Sequence, residues 1–397
     1  MPDLCASSLC CGCGACYNAC YHGAITMRPD KFGFLRPCID SSKCIDCKIC
    51  QSVCPASSVD VSARSPQAVY AVRAIDGELV RTSSSGGLFS VFANYVLVRG
   101  GIIYGVALDE LGRVAHREIA DSSSLGTLRG SKYVQSDVGL SYRDVKAYLE
   151  KGREVLFTGT PCQVAALRKF LGKDYAGLFC VDVVCHGVPS PMAWNRYLDW
   201  QERMECGGKI CRSRISFRDK RHGWNTFSLV IPKSAGPEYV GCLYGDAFLK
   251  SFLMELCNRE SCHECQYRSL RSGADLTMAD FWKVEKQFQM YNDDKGVSML
   301  LVNTDKGAKL FDQIRQMVKC NATSYEVAKA CNPAIIKSVA PHAKREAFLT
   351  RLSMSPHVNY GELVRRYCDG GLVKRIVRRL YRMIAKSSCG CKGSRLV

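Results

Sequence analysis

Long apolar runs are missing from this chain. No stretch of about eighteen apolar residues occurs in its 397 positions, and no charged n-region followed by an apolar h-region opens it. Neither an integral membrane protein nor export by that route is therefore expected. The G-x-G-x-x-G fingerprint and the Walker loop are missing too, so any dinucleotide must be held by a different fold. Cysteine, by contrast, is abundant. There are 25, many at metal-ligand spacings, and metal-sulfur sites survive best in a reducing compartment, which argues against a disulfide-stapled secreted protein. The expected location is the cytoplasm.

Two cysteine runs near the start share almost one spacing: Cys10, Cys13, Cys16 and Cys20, then Cys44, Cys47, Cys50 and Cys54 followed by Pro55. This double C-x2-C-x2-C-x3-C pattern is that of a ferredoxin with two 4Fe-4S clusters, in which the fourth cysteine of each run reaches the other cluster. The expected ligand sets are Cys10, Cys13, Cys16 and Cys54, and Cys44, Cys47, Cys50 and Cys20. Zinc is the plainer alternative, but zinc ribbons use C-x2-C pairs set well apart. Tyr21 stands where a proline is common, with the ligand spacing intact. Cys5, Cys11 and Cys38 read as spare thiols.

The formal charge of +18 suggests an anionic partner. Cluster binding weakens that inference, because each 4Fe-4S core with four cysteinates carries net negative charge. Much of the remainder sits in one place: ten Lys or Arg against two acidic residues from Glu362 to Val397. On a helical wheel Leu372, Val373, Ile376, Val377, Leu380, Tyr381, Met383 and Ile384 fall on one half. Lys374, Arg375, Arg378, Arg379, Arg382 and Lys386 fall on the other. The split reads either as a helix lying on an anionic membrane surface, peripheral on its inner face, or as a helix packed on the protein's own core. Cys389 and Cys391 are too close together for a cluster of their own. A basic iron-sulfur nucleic-acid-binding protein is an alternative class, but the charge is not interleaved with aromatics along a face, so no nucleic acid is expected.

Beyond a Ser/Pro/Ala boundary at Ala56 to Gln67, short apolar runs alternate with helical patterns, the pattern of α/β architecture. Strands are expected over Gly101–Leu108, Glu154–Phe157 and Leu178–Val184, and helices over Leu88–Val98 and Tyr142–Lys151. Thr160 is expected to N-cap a further helix with Pro161 at its first position. Cys162 and Cys185 then fall just past strand ends, on one edge of a sheet, where open α/β sheets bind ligands. Cys162 also lies in a first helical turn, which favours a thiolate. Cys257, Cys262 and Cys265 form C-x4-C-x2-C. With Cys185 or Cys162 they make a third 4Fe-4S site, against zinc or unmetallated thiols. The turn Thr82 to Gly87 before a helix is a weak phosphate-cradle signal.

Ser85-Gly86-Gly87, Arg129-Gly130-Ser131-Lys132-Tyr133-Val134-Gln135-Ser136, Gly159-Thr160-Pro161-Cys162-Gln163, Cys185-His186-Gly187-Val188-Pro189-Ser190, Ile215-Ser216-Phe217-Arg218-Asp219-Lys220 and the C-x4-C-x2-C followed by Ala279-Asp280-Phe281-Trp282 come in that order. Together they resemble the coenzyme F-420 hydrogenase/dehydrogenase beta-subunit family, across about residues 1–300. Ala279 stands where a glycine is usual. The resemblance implies an FAD-dependent iron-sulfur oxidoreductase with one FAD and one body cluster behind the ferredoxin. The acceptor would be an organic substrate or a deazaflavin, coenzyme F-420, and the partner a ferredoxin or another oxidoreductase subunit. An electron-input subunit with no substrate of its own is the runner-up.

The same resemblance points to Ser85, Gly86, Gly87, Lys132, Tyr133 and Thr160 as the FAD pocket. Lys132 would offset flavin or pyrophosphate charge, and His186 would relay protons or simply hold its turn. Arg218, Lys220, His222 and Trp224 form either a seat for an anionic or planar substrate or a solvated hairpin. The expected fold is thus an α+β ferredoxin module over residues 1–60, an α/β flavin-binding body over 66–145 and 146–340, and a basic tail with an amphipathic helix over 341–397.

Overall fold

The computed structural model describes residues 2, 4–57, 62, 64–205 and 208–368. The basic amphipathic helix expected over 372–386 lies outside them, as do Cys389 and Cys391.

In the front unit β1 (Ile25–Pro29) pairs antiparallel with β2 (Leu35–Ile39). Two short helices, Ala15–Ala19 and Ile49–Ser52, each carry the third cysteine of a run. Each is entered through a left-handed residue, Gly14 at φ 75° and Lys48 at φ 60°. The repeated spacing therefore produces a repeated backbone turn, which aims three thiols of each run to one side.

The body is built on an eight-stranded mixed sheet. Its strands are β3 (Ala68–Ala74), β4 (Ile102–Leu108), β5 (Val114–Ile119), β6 (Val155–Gly159), β7 (Leu178–Val183), β11 (Leu276–Asp280), β12 (Ser298–Val302) and β13 (Val318–Thr323). Between β7 and β11 in the chain, β8 (Ser216–Asp219), β9 (Ser228–Ile231) and β10 (Tyr239–Cys242) form a separate antiparallel sheet. The order in the large sheet is β13-β3-β12-β11-β7-β6-β4-β5, with β4, β6, β7 and β11 parallel. These parallel strands have helices across them and are mostly apolar; β6 is buried at every position. The architecture is α/β.

Helix Leu88–Val98 spans the residues its periodicity indicated, and helix Pro161–Leu171 starts at Pro161 behind the Thr160 cap. A second core forms beside the small sheet, where Trp194, Tyr197, Phe217 and Phe248 pack together. Helices Arg345–Met354 and Tyr360–Cys368 complete it through Phe348, Leu352 and Tyr360, all fully buried. Tyr360 Oη lies 2.8 Å from Ser251 Oγ. The described part of the segment assigned to the tail is thus packed into the body through Phe348, Leu349, Leu352, Tyr360, Leu363 and Val364. Among the described residues no helix is long and apolar enough to cross a membrane.

Candidate functional site

The front unit encloses two thiol-lined cavities. The first is ringed by Cys10, Cys13, Cys16 and Cys54, with Cys5 and Cys11 also in its wall. The second, about 100 Å³, is ringed by Cys20, Cys44, Cys47 and Cys50. The fourth cysteine of each run has crossed to the other cavity, as the spacing implies. Cys5 is better placed than a spare thiol: its hydrogen bond draws Cys10 down to about 6, helped by the Arg259 charge, and draws Cys54 down to about 7.

A third cavity opens at the carboxyl ends of β6 and β7, which are parallel neighbours, so Thr160-Pro161-Cys162 and Cys185 emerge side by side. Cys162, Cys185, Cys262 and Cys265 line it. Both thiols offered in the sequence as alternatives are present, and Cys257 is not. Residues 257–259 run extended against 188–190: Ser190 N donates to Cys257 O at 2.9 Å and Arg259 N to Val188 O at 2.9 Å. This pairing leaves Cys257 in the aromatic core, fully buried and 3.4 Å from Ser251 Oγ. The hydrogen bond with Cys11 and burial push the Cys162 thiol well up, which outweighs the helix-terminus effect. Among the described residues no three His, Cys, Asp or Glu side chains converge as ligands of a single metal ion do. At least four thiols around each of these three cavities instead fit the donor set of a 4Fe-4S cubane.

A much larger cavity of about 990 Å³ lies beyond. Ser85, Gly87, Lys132, Tyr133, Thr160 and His186 all line it. Gly86 does not. It sits against β3 and β12, where Ala74 N donates to its carbonyl at 2.8 Å and an added Cβ would meet Val72 O at 2.5 Å. Two eleven-residue helices, Leu88–Val98 and Pro161–Leu171, start at this wall, so unpaired N–H groups and positive dipole ends face it. Ser84 Oγ accepts from Ser131 N at 2.7 Å and ties the two lining loops together. Aromatic faces come from Phe89, Phe227, Phe252 and Trp282. Size, anion-favouring helix ends and planar apolar walls fit a dinucleotide such as FAD.

Lys132 Nζ donates to the carbonyls of Thr127, Leu128 and Arg129 at 3.2, 3.0 and 2.9 Å, capping a short helix end, and burial brings it down to about 7. His186 Nε2 stands 2.5 Å from Glu255 Oε1, and Asn258 Nδ2 donates to the other carboxylate oxygen at 2.6 Å. Glu255 is buried, at a left-handed φ of 59°. No spacing signal in the sequence marks it. Neither sequence reading of the basic-aromatic group describes what forms. Arg218 and Trp224 are buried, paired with Asp280 and stacked with Trp282, while Lys220 Nζ clamps the carbonyls of Ser85 and Lys295 at 2.9 and 2.8 Å.

The cavities share walls. Cys11 lines both the first ferredoxin cavity and the body thiol cavity. Thr160, Cys185 and Gly187 line both the body thiol cavity and the large one. Residues 9–58 match the 4Fe-4S dicluster domain, and residues 152–327 match the family described as the C terminus of the coenzyme F420 hydrogenase/dehydrogenase beta subunit.

Residues 152–327 of the body thus carry the C-terminal domain of the coenzyme F420 hydrogenase/dehydrogenase beta subunit.

With the dicluster domain in front, the chain joins a 4Fe-4S module to a domain related to that beta subunit. Among curated proteins it is similar to the isethionate sulfite-lyase activating enzyme of Desulfovibrio desulfuricans, 35% identical over 97 residues. That match spans 24% of this chain and 29% of the relative. A solved structure of the F420-reducing [NiFe] hydrogenase complex from Methanosarcina barkeri, derivatized with xenon, aligns at a TM-score of 0.44 and 15% identity. It covers 78% of this chain and 95% of that one, and the likeness is too loose to bear on the site.

Proposed function

We propose that the chain is an FAD-containing, three-cluster iron-sulfur oxidoreductase that links one-electron carriers at its ferredoxin end to an organic or deazaflavin-type acceptor at the large cavity, in either direction. The observation that carries this reading is the sharing of walls. Cys11 lines both the ferredoxin's inner cavity and the body thiol cavity, and Cys185 lines both the latter and the large one. Clusters in the thiol cavities and flavin in the large one would supply, between them, exchange between one-electron and two-electron chemistry.

The chain's own residues prepare the site. Cys162, Cys185, Cys262 and Cys265 would hold the body cluster; the Ser83–Ser85 and Arg129–Lys132 loops with the two helix ends would hold the dinucleotide. Tyr133 and Phe252, stacked with centroids 4.9 Å apart, form an apolar wall that excludes water. His186, beside buried Glu255, lines the cavity where a proton relay to the dinucleotide would be needed.

At the outer ferredoxin cavity Tyr21, Ile45 and Ile49 are 65, 62 and 48% exposed. This apolar rim is the place for a ferredoxin or a partner oxidoreductase subunit to dock, and it serves equally if the chain is an electron-input subunit.

The test is anaerobic reduction by a low-potential one-electron donor, followed at the flavin band in the parent protein and in Cys185→Ser. The reading expects bleaching in the parent and slow or absent bleaching in the variant while FAD stays bound. Equal bleaching in both would contradict it.

A further inference from the structure

Arg259 is fully buried, one of the largest side chains to be so. Its oxygen partners are all neutral, and its one sulfur partner belongs to a candidate cluster ligand. Nε donates to Cys10 O at 2.8 Å, Nη1 to Gln135 Oε1 at 2.7 Å, and Nη2 to Leu35 O at 3.0 Å and to Cys10 Sγ at 3.8 Å. The guanidinium also lies 5.3 Å from the centroid of the Phe34 ring. No carboxylate is among these groups. A guanidinium stays charged at any working pH, and a buried charge without a counter-charge is strongly destabilising. Something anionic must therefore stand beside it.

Two thiol-lined cavities do. Cys10 belongs to the inner ferredoxin set, and Arg259 itself lines the body cavity with Cys162, Cys185, Cys262 and Cys265. Resting on the reading that both cavities hold 4Fe-4S clusters, we propose that Arg259 is their shared counter-charge and tunes both reduction potentials upward, while locking the ferredoxin unit onto the body. Reduction adds one negative charge to a cluster, and a fixed cation in a low-dielectric interior favours that more negative state. The hydrogen bond to Cys10 Sγ acts in the same direction. The outer cavity of Cys20, Cys44, Cys47 and Cys50 has no arginine in its wall, so its cluster lies outside this influence. Arg259 is a positioning and tuning residue, touching a ligand sulfur rather than substrate.

The experiment is a potentiometric titration followed by electron paramagnetic resonance on the full chain, comparing the parent with Arg259→Gln and Arg259→Lys. Iron content is measured first. About twelve irons per parent chain upholds the cluster reading independently of the potentials, and about eight would overturn that reading instead. With clusters present, Arg259→Gln is expected to move two of three midpoints to more negative potentials and leave the third in place, and Arg259→Lys to move the same two by less. Three unmoved midpoints, or three moving together, would overturn the proposal. Should neither variant retain its clusters, the parent labelled with guanidino-15N arginine decides. A nitrogen coupling at the reduced inner ferredoxin cluster supports the assignment, and its absence overturns it.

Discussion

Gly12 lies so close beneath Arg259 that a methyl group added to it would stand 2.7 Å from Arg259 Nη1. The same atom would be 2.7 Å from Gln135 Nε2 and 2.8 Å from Leu35 O, and Gly12 has a φ of 65°. Contact and backbone conformation both demand glycine between Cys11 and Cys13. Gly12→Ala should therefore cost about 2 kcal/mol or more, read as a lower denaturation midpoint of the anaerobic protein together with lost iron. An unchanged midpoint and iron content would show that the front unit and the body are not in contact here.

The four thiols of the body cavity and the buried thiol of Cys257 make opposite predictions. Cys162→Ser, Cys185→Ser, Cys262→Ser or Cys265→Ser should each lose about four irons per chain. Cys257→Ala should keep them all and lose only about 1 kcal/mol of stability from the core. Iron and sulfide assays on the set check both, and loss of iron in Cys257→Ala would reverse the ligand assignment.

Ser84 joins the loops that frame the large cavity through a single hydrogen bond from Ser131 N. Removing it in Ser84→Ala should weaken FAD retention about five- to tenfold, corresponding to about 1 kcal/mol for one hydrogen bond. Flavin fluorescence released during equilibrium dialysis measures this directly. Unaltered retention would mean that the loops do not frame the flavin.

Lys132 provides a pH signature. Burial lowers it from 10.5 to about 7 in the fold. Below pH 7 it is protonated in both folded and unfolded states, and its desolvation weighs against the fold. Between about 7 and 10.4 the unfolded chain holds the proton more strongly, so this group's contribution to stability rises with pH. The stability of the parent relative to Lys132→Met should therefore increase from pH 7 to pH 9, measured by denaturant titration at both. A difference that is flat or falls with pH would contradict the burial of the ammonium.

What was legible in the sequence follows from how local each signal is. The eight ferredoxin cysteines are read from short-range spacing, and short loops leave a thiol little choice of direction, so the crossed pairing of Cys20 and Cys54 was visible. Cys162 and Cys185 were placed on one sheet edge because strand ends and a Thr160–Pro161 helix start are also local. Cys257 was included with Cys262 and Cys265 because spacing cannot show which way an extended segment faces. That is decided by pairing with residues 188–190, far back in the chain. Arg259 and Gln135 were missed for the same reason: their partners lie 124 to 249 positions away in sequence. Gly86 read as a pocket residue from its Ser-Gly-Gly setting, whereas its missing side chain is needed for contact with the sheet.

The most direct test is the iron, sulfide and flavin content of the chain purified without oxygen. About twelve irons, a matching amount of sulfide and one FAD per chain are expected. About eight irons and no flavin would contradict it: the body would then hold neither cluster nor flavin, leaving a two-cluster ferredoxin on an inert support.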